Sequence, residues 1–139
     1  AKWYAEVKAF ADANKNTPGL EKEFEKFCKA VDCLAELQGA VIGFMGAGKI
    51  DMMPLYARRI LTASSIVYGA WCILEQAMIA IKRAEEVGPE HYDYDFYTGK
   101  VYSARYYLYN VVPQVWTITD IVKEGDDSAL QIPQGAFDY

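Results

Sequence analysis

The fold is decided by one stretch of the chain, residues 60–81, which reads ILTASSIVYGAWCILEQAMIAI. Side chains spaced alternately four and three residues apart fall on one stripe of a helix, the arrangement used in bundle packing. Here that stripe consists of Ile60, Ser64, Val67, Trp71, Leu74, Met78 and Ile81. The spacing predicts a long helix that begins with Asp51 as its cap and ends at Gly88 and Pro89.

Two helices are predicted before this stretch. The first is short, begins around Trp3 and stops near residues 14–16. The second has Thr17 as its N-cap and Pro18 at its first position, where the missing N–H removes no hydrogen bond. Its stripe ends where two glycines follow; the stripe consists of Leu20, Phe24, Phe27, Val31, Leu34, Gln38, Val41 and Met45, and the glycines are Gly46 and Gly48.

A further helix is predicted after Gly88. Its stripe runs from Tyr97 to Val122 and closes at Gly125, a residue suited to a left-handed C-cap. Pro113 interrupts it, removing one hydrogen bond and colliding with the carbonyl of Tyr109, so we expect a kink. Because the register agrees on both sides of the proline, we predict one bent helix.

No segment alternates with a period of two, so no sheet is predicted. Short connections between long helices make neighbours antiparallel. The sequence therefore predicts an all-α fold: an up-and-down antiparallel bundle of about four helices, forming one domain over residues 1–139. Residues from Asp126 onward, which include Pro133 and Gly135, are expected to form an extended C-terminal tail.

The composition narrows the partners. Fourteen Lys and Arg residues stand against nineteen Asp and Glu residues, a net charge of −5. No basic run is dense enough to follow a phosphate backbone, so we expect no nucleic-acid partner.

No stretch approaches about 20 uninterrupted apolar residues, and the start lacks a signal-peptide pattern, so we expect no membrane span. Three cysteines without a C-x-x-C pair indicate reduced thiols in the cytoplasm. A chain that starts without an initiator methionine is expected to be a fragment.

The segment Gly43–Lys49 satisfies the phosphate-loop pattern G-x-x-x-x-G-K. A functional loop also needs Ser or Thr next, where Ile50 stands, and a parallel sheet that the chain does not predict. The alternative is packing, because Gly39, Gly43 and Gly46 fall on one helix face and would admit another backbone closely. We favour the packing interpretation.

No catalytic or metal-binding set is predicted. The single histidine, His91, lies in an expected loop and cannot supply the two Glu-x-x-His pairs of a di-metal bundle. Cys28 and Cys33 point in different directions on a helix, which excludes a zinc site. Most carboxylates lie off the apolar stripes and are predicted to be solvated; they include Glu21, Glu23, Glu25, Glu85 and Glu86.

Glu75 and Arg105 are the exceptions among the charged residues. Each follows a stripe position on a long helix and has apolar neighbours. If the two helices pack antiparallel, these residues are predicted to form a semi-buried structural ion pair. The alternative is that Arg105 binds a phosphate or carboxylate of a ligand.

Tyrosines crowd the region from Tyr92 to Tyr109. They cannot all face one core, and tyrosine is enriched at protein interfaces. Two interpretations stay open: packing at the solvent edge, or a docking face made of Tyr102, Tyr106, Tyr107 and Tyr109.

Several runs in the last ninety residues carry a family resemblance. They are Tyr68–Trp71, Leu74–Ala77, Phe96–Val101, Ser103–Tyr107, Asn110–Gln114 and Lys123–Ser128. Together they resemble the C-terminal helical domain of large bacterial acyl-CoA dehydrogenases, the acetyl-CoA dehydrogenase C-terminal-like domain. The resemblance is best over residues 50–137, while the first fifty residues fit by helical pattern alone.

The resemblance implies a parent oxidoreductase of fatty acid metabolism that binds FAD and an acyl-CoA. In that family a glutamate removes the α-proton and flavin N5 accepts the β-hydride, both within upstream domains. No residue of this chain takes a catalytic role by resemblance, and no cofactor is implied in it. The implied partners are the upstream dehydrogenase core and, through a subunit interface, a second copy.

Two alternatives remain. The chain could be a free-standing helical interaction module, which a search for an adjoining dehydrogenase reading frame would test. It could also bind a small ligand inside the bundle, which requires an internal cavity.

Overall fold

The computed structural model describes residues 2–138. It contains five main helices and two short ones within that range: α1 Lys2–Asn14, α2 Glu21–Gly46, α3 Met52–Val87, α4 Tyr94–Asn110, α5 Gln114–Glu124, α6 Ser128–Gln131 and a 3₁₀ helix Gln134–Phe137. The all-α prediction is confirmed.

The first three helices pack against one another through aromatic side chains. On α1, Phe10 lies between the other two helices, with its ring 5.8 Å from that of Phe24 on α2 and 5.7 Å from that of Trp71 on α3. Near the end of α2, Phe44 stacks on Tyr56 near the start of α3, with ring centroids 6.3 Å apart. Helices α2 and α3 are therefore antiparallel, and α1 lies over the groove between them.

The α3–α4 pair is also antiparallel. Late in α4, the Tyr107 hydroxyl donates a 3.1 Å hydrogen bond to the carbonyl of Ile66. Earlier in α4, Lys100 Nζ lies 3.5 Å from Gln76 Oε1, further along α3. The later residue of α4 therefore contacts the earlier residue of α3, which is the order expected of antiparallel helices.

Helices α4 and α5 run parallel to α2. Arg105 on α4 pairs with Glu23 near the start of α2, and Lys123 on α5 pairs with Glu36 further along. Since α2 and α4 are both antiparallel to α3, the up-and-down topology is confirmed. One continuous set of buried apolar side chains links α1 to α5, and its largest fully buried members are Leu20, Phe24, Phe27, Leu37, Met52, Leu74 and Leu108.

The start of α2 differs from the sequence prediction. The Thr17 hydroxyl donates a 2.7 Å hydrogen bond back to the carbonyl of Asn14, so it closes α1 instead of capping α2. Gly19, at φ 81°, then turns the chain, and α2 begins at Glu21. Thr17 as an N-cap was wrong because the turn that reverses the chain needs three more residues than the Thr-Pro signal indicates.

The predicted bent helix is two helices. Val111, Val112 and Pro113 form a turn in which the amides of Val111 and Val112 both donate to the carbonyl of Tyr107. Pro113 has no N–H to continue the ladder, and α5 starts immediately after it. The proline therefore breaks the helix, although the apolar stripe keeps its register across the break.

The predicted helix ends are confirmed, and the prediction for the tail is wrong. Gly48, Gly88 and Gly125 all adopt positive φ, and Gly125 is a left-handed C-cap with φ 67° and ψ 34°. Asp51 precedes α3 without a side-chain capping hydrogen bond. Instead of an extended tail, residues 128–137 form the short α6 and the 3₁₀ helix, both without buried residues.

By length and composition alone, α3 could cross a membrane. Its most apolar 18-residue window has a mean hydropathy of 1.4, and 33 % of that window is buried. A central helix of a folded domain meets the same two criteria, and α3 packs on α2, α4 and α5. The absence of a membrane span therefore stays a prediction.

Candidate interaction surface

The predicted Glu75–Arg105 ion pair does not form. The Trp71 indole N–H donates a 3.0 Å hydrogen bond to Glu75 Oε1, one turn along the same helix. Arg105 faces α2, where its Nε lies 3.3 Å from Glu23 Oε1 and its Nη2 donates to the carbonyl of Gly19 at 3.1 Å. The prediction failed because Arg105 lies on the α2 side of α4, away from the seam with α3.

Sequence reasoning missed Glu23, which was expected to be solvated but is only 4 % exposed. One signal was available: Glu23 lies four and seven residues before Phe27 and Ala30, which are both fully buried. Partial desolvation raises the pKa of the Tyr109 phenol, and the neighbouring Glu23 carboxylate raises it further. Glu23, Arg105 and Tyr109 thus meet where α2 and α4 pack.

Aromatic rings and cations alternate along the outer edge of this contact. The Arg105 guanidinium lies 5.3 Å from the Tyr102 ring, and Lys26 Nζ lies 5.1 Å from the Tyr109 ring. We call this surface the aromatic–cation seam, and it comprises Lys26 and Lys29 on α2, Tyr102, Arg105, Tyr106 and Tyr109 on α4, and Trp116 on α5. Tyr102, Tyr109 and Trp116 follow each other at intervals of seven residues, which keeps their rings on one side of α4 and α5.

The seam contains a shallow cleft of about 360 Å³. Its walls carry three ammonium groups and one carboxylate around two rings, and they comprise Lys22, Glu25, Lys26, Lys29, Tyr109 and Trp116. Lys29 Nζ lies 4.6 Å from the Trp116 ring. A chain with a net charge of −5 therefore has a locally basic, aromatic surface here.

The predicted tyrosine face divides into two parts. Tyr102 and Tyr106 are 62 % and 67 % exposed, and Tyr109 is also exposed. Tyr107 is not: its hydroxyl binds the Ile66 carbonyl, and its ring lies over Gly69 of α3. Tyr107 therefore belongs to the α3–α4 contact, while the other three remain candidates for an interface. The small residue at position 69 was the available signal.

The segment Gly43–Lys49 has no phosphate-loop geometry. It is the last turn of α2, and the amides of Ala47, Gly48 and Lys49 donate to carbonyls within the same turn. The packing interpretation also fails, because a Cβ atom built on Gly39, Gly43 or Gly46 would meet nothing within 4 Å. This face of α2 is open.

Among residues 2–138, no group of three His, Cys, Asp or Glu side chains could hold a metal ion. His91 Nδ1 accepts a 3.2 Å hydrogen bond from the amide of Asp93, and its exposed ring stacks on Tyr92. Every buried side-chain N or O atom in the described part of the chain has a hydrogen-bond partner.

The fold and this surface define a helical bundle domain that carries exposed aromatic and cationic side chains on its outside. The chain belongs to the family described as "Acetyl-CoA dehydrogenase C-terminal like", whose model matches residues 3–133. The match includes the first fifty residues, which the sequence runs did not cover.

Named relatives agree with this assignment. The chain is 34 % and 33 % identical to two butyryl-CoA dehydrogenases of Syntrophomonas wolfei, in each case over 136 residues that make up 98 % of this chain. It is 22 % identical over 138 residues, 95 % of this chain, to a broad-specificity linear acyl-CoA dehydrogenase of Mycobacterium tuberculosis. The chain spans 22 % of the length of each relative.

Proposed function

We propose that the chain is the non-catalytic C-terminal accessory domain of a cytoplasmic, FAD-dependent acyl-CoA dehydrogenase. The parent enzyme would introduce an α,β double bond into an acyl-CoA thioester. One observation carries the proposal: the family match extends over almost the whole chain, yet the chain corresponds to about a fifth of each dehydrogenase. Three free cysteines support a reducing compartment.

The chemistry of the described residues supports a domain without activity of its own. Removal of an α-proton needs a free base close to the substrate. The buried carboxylate, Glu23, is paired with Arg105, and His91 is exposed in a turn. The described residues do not fit FAD either, since their clefts are open and no buried polar side-chain atom lacks a partner. We therefore assign the flavin and the catalytic base to the upstream domains.

We propose that the domain docks on the dehydrogenase core, or on a second subunit, through the aromatic–cation seam. Tyrosine, tryptophan and arginine are the residues that most often dominate binding energy at interfaces. Exposed Tyr102 and Tyr106 lie beside Arg105, so apolar area and charge are offered together.

The first experiment compares the purified 139-residue protein with the full-length parent. We expect the short protein to be colourless and unable to reduce an electron acceptor with any of a series of acyl-CoA thioesters. The parent should bind FAD and do so. Tightly bound flavin in the short protein, or a reading frame without a dehydrogenase core, would refute the proposal and favour a free-standing module.

The second experiment tests the seam. Tyr102→Ser combined with Tyr106→Ser in the parent should weaken assembly in sedimentation measurements, while the same pair leaves the unfolding midpoint of the 139-residue protein unchanged. Tyr92→Ser is the matched control, because Tyr92 is exposed but lies outside the seam. Unaltered assembly of the double variant would remove the seam from the interface between subunits.

A further inference from the structure

Helix α1 covers only part of the groove between α2 and α3. Its C-terminal half packs through Phe10 against Phe24 and Trp71. Its N-terminal end, at Trp3 and Tyr4, lines a cleft of about 280 Å³; the other lining residues are Leu34, Leu37, Gln38 and Val41 on α2 and Ile60 and Ser64 on α3. The cover ends there, but α2 continues to Gly46.

The part of α2 beyond its last buried residue, Leu37, is about 13 Å long, since α2 runs nine more residues at 1.5 Å each. We call it the open groove. Gln38, Val41, Ile60 and Ser64 lie at its end near α1. Helix spacing places Ile42 and Met45 on the same face of α2, and Leu61 beside Ser64 on α3.

The open groove continues the same apolar stripe that forms the core. Under α1, Val31 and Leu34 are buried, whereas Met45, about three to four turns along the same stripe, is 56 % exposed. Ile42 and Leu61, beside it, are 61 % and 68 % exposed. Exposed helix surface normally carries charge, yet residues 37–48 contain no charged side chain. The open groove therefore has the apolar, uncharged composition of a helix-packing surface, yet its side chains are exposed.

The last turns of α2 are weak on their own. Gly39, Gly43 and Gly46 each disfavour a helix relative to alanine, and none of them gains a close contact in return. Helices in proteins owe most of their stability to packing of an apolar face. An added element over the open groove would supply that packing.

We propose that the residues immediately preceding Ala1 in the parent protein continue α1 by two to three turns and occupy the open groove. The inference rests on the proposed function, because it needs an upstream polypeptide. Two observations select this occupant. About four fifths of each relative lies outside the aligned region, and the family description, C-terminal like, favours an upstream position for that length. The N-terminal end of α1 lies at the mouth of the groove, so these residues reach it without a linker.

The proposal fixes a pattern in the missing sequence. On α1 the inward stripe is Trp3, Val7 and Phe10. Continued backward at the same spacing, it requires apolar residues three and seven positions before Trp3, with no proline between them. Polar residues at both positions would overturn the proposal before any protein is made.

The experiment extends the 139-residue protein by its natural preceding residues in two steps of about eight. Hydrogen exchange of the amides of residues 38–46 should slow at least about tenfold on extension. In the extended protein Met45→Glu should lower the melting temperature by at least about 4 °C, because a carboxylate must be buried against the added helix. In the starting protein, where Met45 is exposed, the same change should have no effect. Ile79→Glu is the control, since Ile79 is 63 % exposed on another part of α3 and should be neutral in both proteins.

Each other outcome rejects the proposal. Protection that rises with protein concentration assigns the groove to a second copy. Protection in the full-length parent but not in the extended protein assigns it to the body of the dehydrogenase. Both results leave the proposed function intact, whereas a reading frame that starts at Ala1, or that encodes no dehydrogenase, removes the proposed function as well.

Discussion

Arg105 on α4 holds the buried carboxylate of Glu23 on α2, with 3.3 Å between Nε and Oε1. The two residues are distant in sequence, and the same guanidinium also binds the carbonyl of Gly19 at the turn before α2. One side chain therefore ties the start of α2 to the middle of α4. This side chain therefore contributes to the parallel register of the two helices.

Arg105→Ala should lower the free energy of unfolding by about 2–3 kcal/mol, because Glu23 would stay buried without its partner. Urea denaturation measures this directly. Arg83→Ala is the control: Arg83 pairs with Glu86, both are well exposed, and the expected loss is below about 1 kcal/mol. Equal losses for the two variants would contradict a structural role for the Glu23–Arg105 pair.

Gly69→Ala should destabilise the α3–α4 contact by about 1–3 kcal/mol. Its new methyl group would collide with the Tyr107 hydroxyl and lie 3.1 Å from Cζ of that ring. Tyr107→Phe alone should cost about 1 kcal/mol, through loss of the hydrogen bond to Ile66. Combining the two changes should cost less than their sum, because the phenylalanine removes the clashing oxygen.

Gly99→Ala is the matched control for this cycle. Gly99 lies within α4, and a Cβ there meets nothing within 4 Å. The substitution should raise stability by up to about 1 kcal/mol, since alanine favours the helix. Thermal unfolding of the four variants decides the matter, and additivity of Gly69→Ala with Tyr107→Phe would disprove the steric coupling.

Gly125→Ala should destabilise by more than Gly48→Ala. Both glycines adopt positive φ, so each substitution should cost about 1 kcal/mol of backbone strain. At Gly125 the added Cβ would also lie 3.3 Å from Cε1 of Phe44, whereas at Gly48 it meets open space. The difference between their denaturation midpoints measures the packing of Phe44 on the α5 cap. Equal midpoints would show that this contact is soft.

Stability should fall above pH 9. Burial raises the pKa of the Cys33 thiol above its ordinary 9.0 and that of the Tyr107 phenol above its ordinary 10.0. Both groups ionise more readily in the unfolded chain. Their neutral forms therefore contribute fully to the stability of the fold below the ordinary pKa values, and this contribution is lost as pH rises toward the raised pKa values of the folded protein. Urea unfolding between pH 7 and pH 11 checks this. Tyr107→Phe should flatten the decline above pH 10, and an unchanged slope would rule out Tyr107 as a source.

The sequence predicted the fold through signals that are local. Apolar spacing located the four stripes. The glycines at 48, 88 and 125 ended three helices as expected, because glycine adopts positive φ without steric strain. The family runs likewise predicted the relationship that the comparisons show. The predictions of a Thr17 cap and of one continuous fourth helix were wrong, because the length of a turn and the effect of a proline depend on how the next helix packs.

The surface could be predicted only in part. Tyr102, Tyr106 and Tyr109 were expected on an outer face and are exposed, whereas Tyr107 was misplaced. Successive residues of a helix are 100° apart. A small error in estimating which side of α4 faces the core therefore makes a packed tyrosine look exposed. Whether the exposed three form an interface is still a prediction.

By itself, the sequence determined which segments are helical, which side of each is apolar and which helices end at glycines, because periodicity and glycine signals lie within a few residues of one another. Only the tertiary structure decided that Arg105 meets Glu23 and not Glu75, because that depends on how α4 is rotated between two neighbours. It also decided how much of each stripe is covered. Among the described residues, Leu34 is buried while Met45, on the same stripe, is 56 % exposed.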